Sequence, residues 1–111
     1  MSQVIPLHGG GPAPTLFDRS EIEHLMQLYG RMVAAGIWRD YAIDFAPGIA
    51  TFSAFRRASE RPEYRVVKNP ALRARQGQYA LLGEAGQTLR RGDDLAAVLA
   101  PAVRRLVKAV G

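Results

Sequence analysis

Residues 40–55 read Asp40-Tyr41-Ala42-Ile43-Asp44-Phe45-Ala46-Pro47-Gly48-Ile49-Ala50-Thr51-Phe52-Ser53-Ala54-Phe55, and their pattern decides the fold. Tyr41, Ile43 and Phe45 alternate with Asp40, Ala42 and Asp44, the period of a half-buried strand. Pro47-Gly48 is turn chemistry, and residues 49–57 read as a second strand. Pairing Ala46 with Ile49 sets Tyr41 opposite Ala54, Ile43 opposite Phe52 and Phe45 opposite Ala50, all on one face. The other face then holds Asp44 with Thr51, Ala42 with Ser53 and Asp40 with Phe55. A one-residue slip mixes the two sets, so the register is self-consistent only this way. Phe55 breaks the polar pattern and marks either a bulge or a second contact surface.

Working outward, residues 18–35 predict a helix. Asp18 is a good N-cap, Glu21 completes a capping box, and Phe17 with Ile22 forms a hydrophobic staple. Ile22, Leu25, Met26, Tyr29, Met32 and Val33 make a stripe of period 3.6, with Glu23, Gln27 and Arg31 opposite. Gly36 stops the helix. On the other side of the hairpin, Ser59-Glu60-Arg61-Pro62 is a turn, and residues 63–68 are a third strand with Tyr64 and Val66 on one side. Asn69-Pro70 opens a loop to Gly77, and residues 79–82 are a fourth strand. Glu84-Ala85-Gly86-Gln87 turns the chain towards a short fifth strand near Thr88-Leu89.

A second helix follows Gly92 with Asp93 as N-cap. Its stripe is Leu95, Val98, Leu99, Ala102, Val103, Leu106 and Val110. Pro101 must kink or split it, because proline removes a hydrogen bond and crowds the preceding turn. The expected fold is therefore α+β: a helix, a four- or five-stranded antiparallel sheet and a helix, both helices packed on one sheet face. Residues 1–15 hold Pro6, Gly9, Gly10, Gly11, Pro12 and Pro14 and read as a disordered tail, leaving 16–111 as a single domain.

The segments Leu28-Tyr29-Gly30-Arg31-Met32-Val33-Ala34-Ala35-Gly36, Trp38-Arg39-Asp40-Tyr41-Ala42-Ile43-Asp44-Phe45 and Phe55-Arg56-Arg57-Ala58-Ser59-Glu60-Arg61-Pro62 resemble a bacterial family, domain of unknown function 2794. The resemblance runs from about Phe17 to Leu99. It implies a small stand-alone protein of the bacterial cytoplasm and brings no catalytic residue with it.

The 111 residues are 48% apolar and 23% charged, an ordinary globular composition with room for one core. The absence of cysteine excludes disulfides, thiolate nucleophiles and cysteine-bound metals. No run approaches the roughly 18 apolar residues of a membrane span, and the N-terminus lacks the plan of a secretory signal, so a cytoplasmic protein is expected. His8 and His24 have no converging ligands. Asp40 and Asp44 stand about 13 Å apart along a strand, beyond the reach of paired-carboxylate catalysis. Ser20, Ser53 and Ser59 lie in no nucleophile motif, and Gly9-Gly10-Gly11 is not a phosphate loop. No enzyme, metal or cofactor is expected.

The net charge of +5 divides as −2 over residues 1–48, +6 over 49–91 and +1 over 92–111. Arg56, Arg57, Arg61, Arg65, Lys68, Arg73 and Arg75 interleave with Phe55, Tyr64 and Tyr79. Arginine for phosphates and aromatics for base stacking is the chemistry of a single-strand platform. The same aromatics are equally core residues, and the same charges a solvated surface. Two readings follow. The first is a non-enzymatic protein-interaction or adaptor domain, a homodimer through the open sheet being one version. The second is polyanion, including nucleic-acid, binding through the arginine-rich sheet and loops. Under the second, reversing Arg73 and Arg75 to Glu abolishes oligonucleotide binding in a fluorescence anisotropy titration and leaves the thermal midpoint nearly unchanged. Intact binding in that double variant rules the assignment out.

Overall fold

The computed structural model describes residues 13–57 and 60–110. Of the expected tail, residues 1–12 lie outside the described range. Thr15 already belongs to the fold, its N–H donating to the Ala46 carbonyl at 2.9 Å.

Helix α1 spans Arg19–Ala34 and starts as its sequence demands. The Asp18 carboxylate accepts the Glu21 N–H at 2.8 Å, and the Glu21 carboxylate accepts the Asp18 N–H at 2.7 Å. At the other end the Gly36 N–H bonds to the Val33 carbonyl and the Ile37 N–H to the Met32 carbonyl, both at 2.9 Å. That is a Schellman closure, and Gly36 takes the φ of +76° it needs. The buried stripe includes Leu25, Leu28 and Met32. Leu28 takes the place expected of Val33, which is 42% exposed, because Leu28 lies three residues after Leu25 and four before Met32, on the same helix face.

Five strands follow: β1 (Asp40–Ala46), β2 (Ile49–Phe55), β3 (Tyr64–Lys68), β4 (Tyr79–Leu82) and β5 (Thr88–Gly92). They pair antiparallel in sequence order, β1-β2-β3-β4-β5. The β1–β2 register has Tyr41 opposite Ala54, Ile43 opposite Phe52 and Asp40 opposite Phe55, as the alternation requires. Phe55 marks no bulge. The one register shift lies between Leu81 and Leu82 on the β4–β5 pair. β2 ends at Phe55 rather than Arg57, and β5 is longer than the Thr88-Leu89 pair suggested. Gly77 sits so close to Gly92 that an added Cβ would lie 2.5 Å from its backbone. Two bare backbones meet there, where β4 and β5 start to pair.

The C-terminal segment splits into α2 (Leu95–Val98) and α3 (Ala100–Val110). Pro101 offers no N–H to the Ala97 carbonyl, so the helix breaks at Leu99, whose own N–H bonds to the Leu95 carbonyl at 3.0 Å. The N-cap is Asp94, not Asp93. Asp93 turns back to the sheet, where its carboxylate accepts the Gln78 N–H at 2.8 Å.

Both helical segments pack on one sheet face. Leu25, Leu28 and Met32 of α1 and Leu95, Val98, Leu99, Ala102 and Leu106 meet Phe52, Val66, Tyr79 and Leu81 in a single core. Aromatic rings extend it towards β1, with Tyr29 edge-on to Tyr41 at 4.8 Å and Tyr41 stacked on Phe52 at 5.7 Å. The opposite sheet face is uncovered. Among the described residues no helix is long and apolar enough to cross a membrane.

Glu21 ties α1 to the sheet. Buried at 6% exposure, it accepts the Lys68 Nζ at 2.8 Å and the Tyr79 hydroxyl, while Lys68 also reaches the Leu16 carbonyl at 2.8 Å. Burial first, and then the hydrogen bond to Glu21, hold the Tyr79 phenol neutral far above its ordinary range. A phenol whose folded value is raised contributes stability that is complete below about pH 10 and is lost as pH climbs through the folded value. Tyr79→Phe is expected to cost about 1–3 kcal/mol at pH 7. That gap should close in denaturant titrations run above about pH 10.

Candidate functional site

One end of the sheet gathers side chains that are far apart in sequence. The Arg39 N–H donates to the Phe55 carbonyl at 2.8 Å, which sets the start of β1 beside the end of β2. Arg39 therefore neighbours Arg56 and Arg57, and α3 brings Arg105 to the same place. With Val33, Gly36, Ile37, Trp38 and Glu60 these four arginines line an open cleft of about 810 Å³.

Behind the cleft stands a second buried carboxylate. Glu63, just before β3, is 9% exposed. Its Oε1 accepts the Trp38 indole N–H at 2.8 Å, and its Oε2 accepts Arg105 Nε at 2.9 Å and Nη2 at 2.7 Å. Trp38 packs against two rings, stacked with Tyr29 at 6.1 Å and edge-on to Tyr64 at 6.0 Å. Burial raises the Tyr64 phenol above its usual value, the Glu63 charge adds to the rise, and Arg105 opposes it. The remaining pairs at this end are exposed. Arg56 meets Glu84 at 3.2 Å and Arg57 meets Glu60 at 3.7 Å, contacts of little worth in water.

The residues singled out from the sequence are dispersed. Arg56 and Arg57 line the cleft, and Arg61 is exposed on the segment leading to β3. Arg65 stands mid-strand on the uncovered face, opposite Ser53 and Leu82. Lys68 points the other way and is taken up by Glu21. Arg73 and Arg75 follow a short 3-10 turn at Pro70–Leu72, at the opposite end of the sheet. Of the aromatics, Phe55 is half-buried on the uncovered face, whereas Tyr64 and Tyr79 are core. No single face joins these arginines with exposed rings.

Sequence reasoning missed Arg39, Arg105, Trp38 and Glu63. Arg105 has a sufficient explanation in the dipole of its own helix, and the 42 residues separating it from Glu63 leave no local trace. A faint signal did exist in Glu63, a carboxylate directly beside an apolar strand. A smaller recess of about 220 Å³ lies over Glu21, His24, Tyr79, Asp93 and Asp94. Among the described residues no group of three or more His, Asp or Glu side chains is placed to hold a metal.

The pattern of one protein family, described as "Protein of unknown function (DUF2794)", matches residues 15–99. The chain belongs to this family. No curated protein and no solved structure matches the chain. The family match opens at Thr15, the residue bonded to Ala46, and takes in α1, the whole sheet and α2. It therefore includes Arg39, Arg56, Arg57 and Glu63, and it stops short of Arg105.

Trp38 is the single tryptophan of the chain, so its fluorescence reports on this end alone. Glu63→Ala is expected to destabilise the protein by about 2–4 kcal/mol, since it strips partners from a buried indole and from a half-buried guanidinium. A marked change in Trp38 emission in the folded variant should accompany the loss. Unchanged emission and stability would show that the Glu63 bonds hold nothing in place.

Proposed function

We propose that this is a non-enzymatic protein-interaction domain that pairs through its uncovered sheet face. The observation that carries this reading is the make-up of that face. Across one row of the sheet stand Asp44, Thr51, Val67, Ala80 and Arg91, one per strand from β1 to β5. The middle is apolar or small, the β1 edge is acidic, and the β5 edge is basic. Leu82 and Phe55 extend the apolar area, and Ser53 and Ala80 on the same face are small and buried. Arg65 interrupts this area on the central strand, between Ser53 and Leu82, but an apolar area with charge at its edges is still the usual plan of a protein contact.

The charge order also selects a partner. A second copy turned about a two-fold axis running along β3 lays its β1 over the first copy's β5. Each Asp44 then meets an Arg91, and each Val67 meets its own mate, an isologous arrangement. Five strands about 4.8 Å apart and four residues deep present roughly 300 Å² per copy, well under half the usual ~800 Å². The dimer is therefore weak and concentration-dependent. Arg65, on the axial strand, faces its mate and opposes pairing.

Polyanion binding is the second reading. It is favoured by the gathering of Arg56 and Arg57 with Arg39 and Arg105 at one end of the sheet. The burial of Tyr64 and Tyr79 removes most of its stacking surface.

Sedimentation velocity over a concentration series tests the first reading. The wild type is expected to self-associate reversibly, Asp44→Arg to be monomeric, and the charge swap Asp44→Arg with Arg91→Asp to regain the dimer. Arg65→Gln should strengthen association. A wild type that stays monomeric at millimolar concentration, or a swap that rescues nothing, overturns it.

A further inference from the structure

We infer that the four-arginine cleft binds a small organic phosphate monoester, with the phosphate on the guanidinium groups and the organic body on Val33 and Ile37. This inference is independent of the dimer, which uses the other sheet face.

Four arginines from three separate chain segments line one concavity. Arg39 comes from the α1–β1 link, Arg56 and Arg57 from the end of β2, and Arg105 from α3. Glu60 sits 3.7 Å from Arg57, Glu84 3.2 Å from Arg56, and Glu63 holds Arg105, so the four arginines face three carboxylates and keep one charge in excess, the two exposed pairs being worth little in water. Like charges repel when brought together, so the gathering leaves an excess of positive potential for a bound anion to neutralise. Among the described residues Arg39 has no carboxylate within ion-pair distance.

Arg105 gives the site its built character. Its Nε and Nη2 are committed to Glu63 Oε2, and Glu63 is itself held by the Trp38 indole. A guanidinium has five N–H donors. The bonds to Glu63 therefore leave donors to spare on a group whose orientation is already set, which lowers the ordering cost of binding. The C-terminus of α1 opens on the same cleft and would ordinarily repel an anion. Here the Val33 and Met32 carbonyls are occupied by the Gly36 and Ile37 N–H groups, which blunts that repulsion.

Charge and shape then define the ligand. A phosphate monoester carries close to two charges at pH 7 and three acceptor oxygens, which arginine forks match in geometry. A carboxylate or a phosphodiester carries one. The cleft volume of about 810 Å³ lies within the usual range for small-molecule sites. Val33, 42% exposed, and Ile37 give the cleft an apolar wall that inorganic phosphate could not use. A long nucleic acid fits less well, because Arg73 and Arg75 lie at the far end of the sheet and do not continue the track.

The test uses the full chain with phenyl phosphate, phenyl sulfate and inorganic phosphate as probes, read by Trp38 fluorescence and by isothermal titration calorimetry. Phenyl phosphate is expected to bind saturably, with phenyl sulfate and inorganic phosphate each weaker by roughly tenfold or more. Arg39→Gln and Arg57→Gln, both exposed, should each weaken phenyl phosphate by about tenfold or more without moving the thermal midpoint. Arg73→Gln, at the other end, should change nothing. Any of four results overturns the inference: no saturable binding at millimolar phenyl phosphate, equal affinity for inorganic phosphate, an equal loss in Arg73→Gln, or tighter binding of a single-stranded oligonucleotide at the same arginines. A monomeric protein that binds phenyl phosphate would sink the dimer and leave this site standing.

Discussion

A carboxylate buried against apolar neighbours must have its charge answered on the spot, and the Glu21 carboxylate has three donors around it. The Asp18 N–H closes the first turn of α1, the Lys68 ammonium reaches it from β3, and the Tyr79 hydroxyl reaches it from β4. Helix and sheet are thereby locked in one relative position, since no slide of α1 keeps all three bonds. Losing one partner would leave a charge uncompensated in a medium that solvates it poorly. The apolar stripe of α1 supplies the driving force for packing. Glu21 selects which packing.

Glu63 repeats the device for the C-terminal helix. It joins the Trp38 indole, which ends the α1–β1 link, to the Arg105 guanidinium on α3. The two carboxylates lie at opposite ends of β3, one beyond Lys68 and one before Tyr64. Between them the helices are pinned at two points over a hydrophobic layer that by itself would tolerate several arrangements. The second pin has a consequence the first lacks. Lys68 is spent inside the fold, whereas Arg105 also lines the cleft shared with Arg39, Arg56 and Arg57.

The molecule thus presents two unlike surfaces. One is the uncovered sheet face, with Asp44 on β1, Arg65 on β3 and Arg91 on β5. The other is a concave end lined by Arg39, Arg56, Arg57 and Arg105. They share Arg56 and Phe55 as neighbours in the chain but not as neighbours in chemistry, because successive residues of a strand point to opposite sides and the chain turns away after Phe55.

Local rules were enough for much of the fold. The capping box at Asp18 and Glu21, the stop at Gly36, the hairpin register from Tyr41–Ala54 to Ala46–Ile49 and the break at Pro101 each depend on a few adjacent residues and on backbone sterics. Those forces act in the unfolded chain too, so the sequence alone determined them. Where the alternation ran out, the reading lost its hold: the length of β5, the exchange of Leu28 for Val33 and the capping role of Asp94 over Asp93 all depend on what packs opposite. The charged residues were the least legible. Arg56, Lys68 and Arg73 look alike in sequence, yet one lines a cleft, one is buried on Glu21 and one stands at the far end of the sheet. Only the tertiary structure decided this, because a charge acts through space on partners 42 to 58 residues away, and no local pattern encodes a contact of that range.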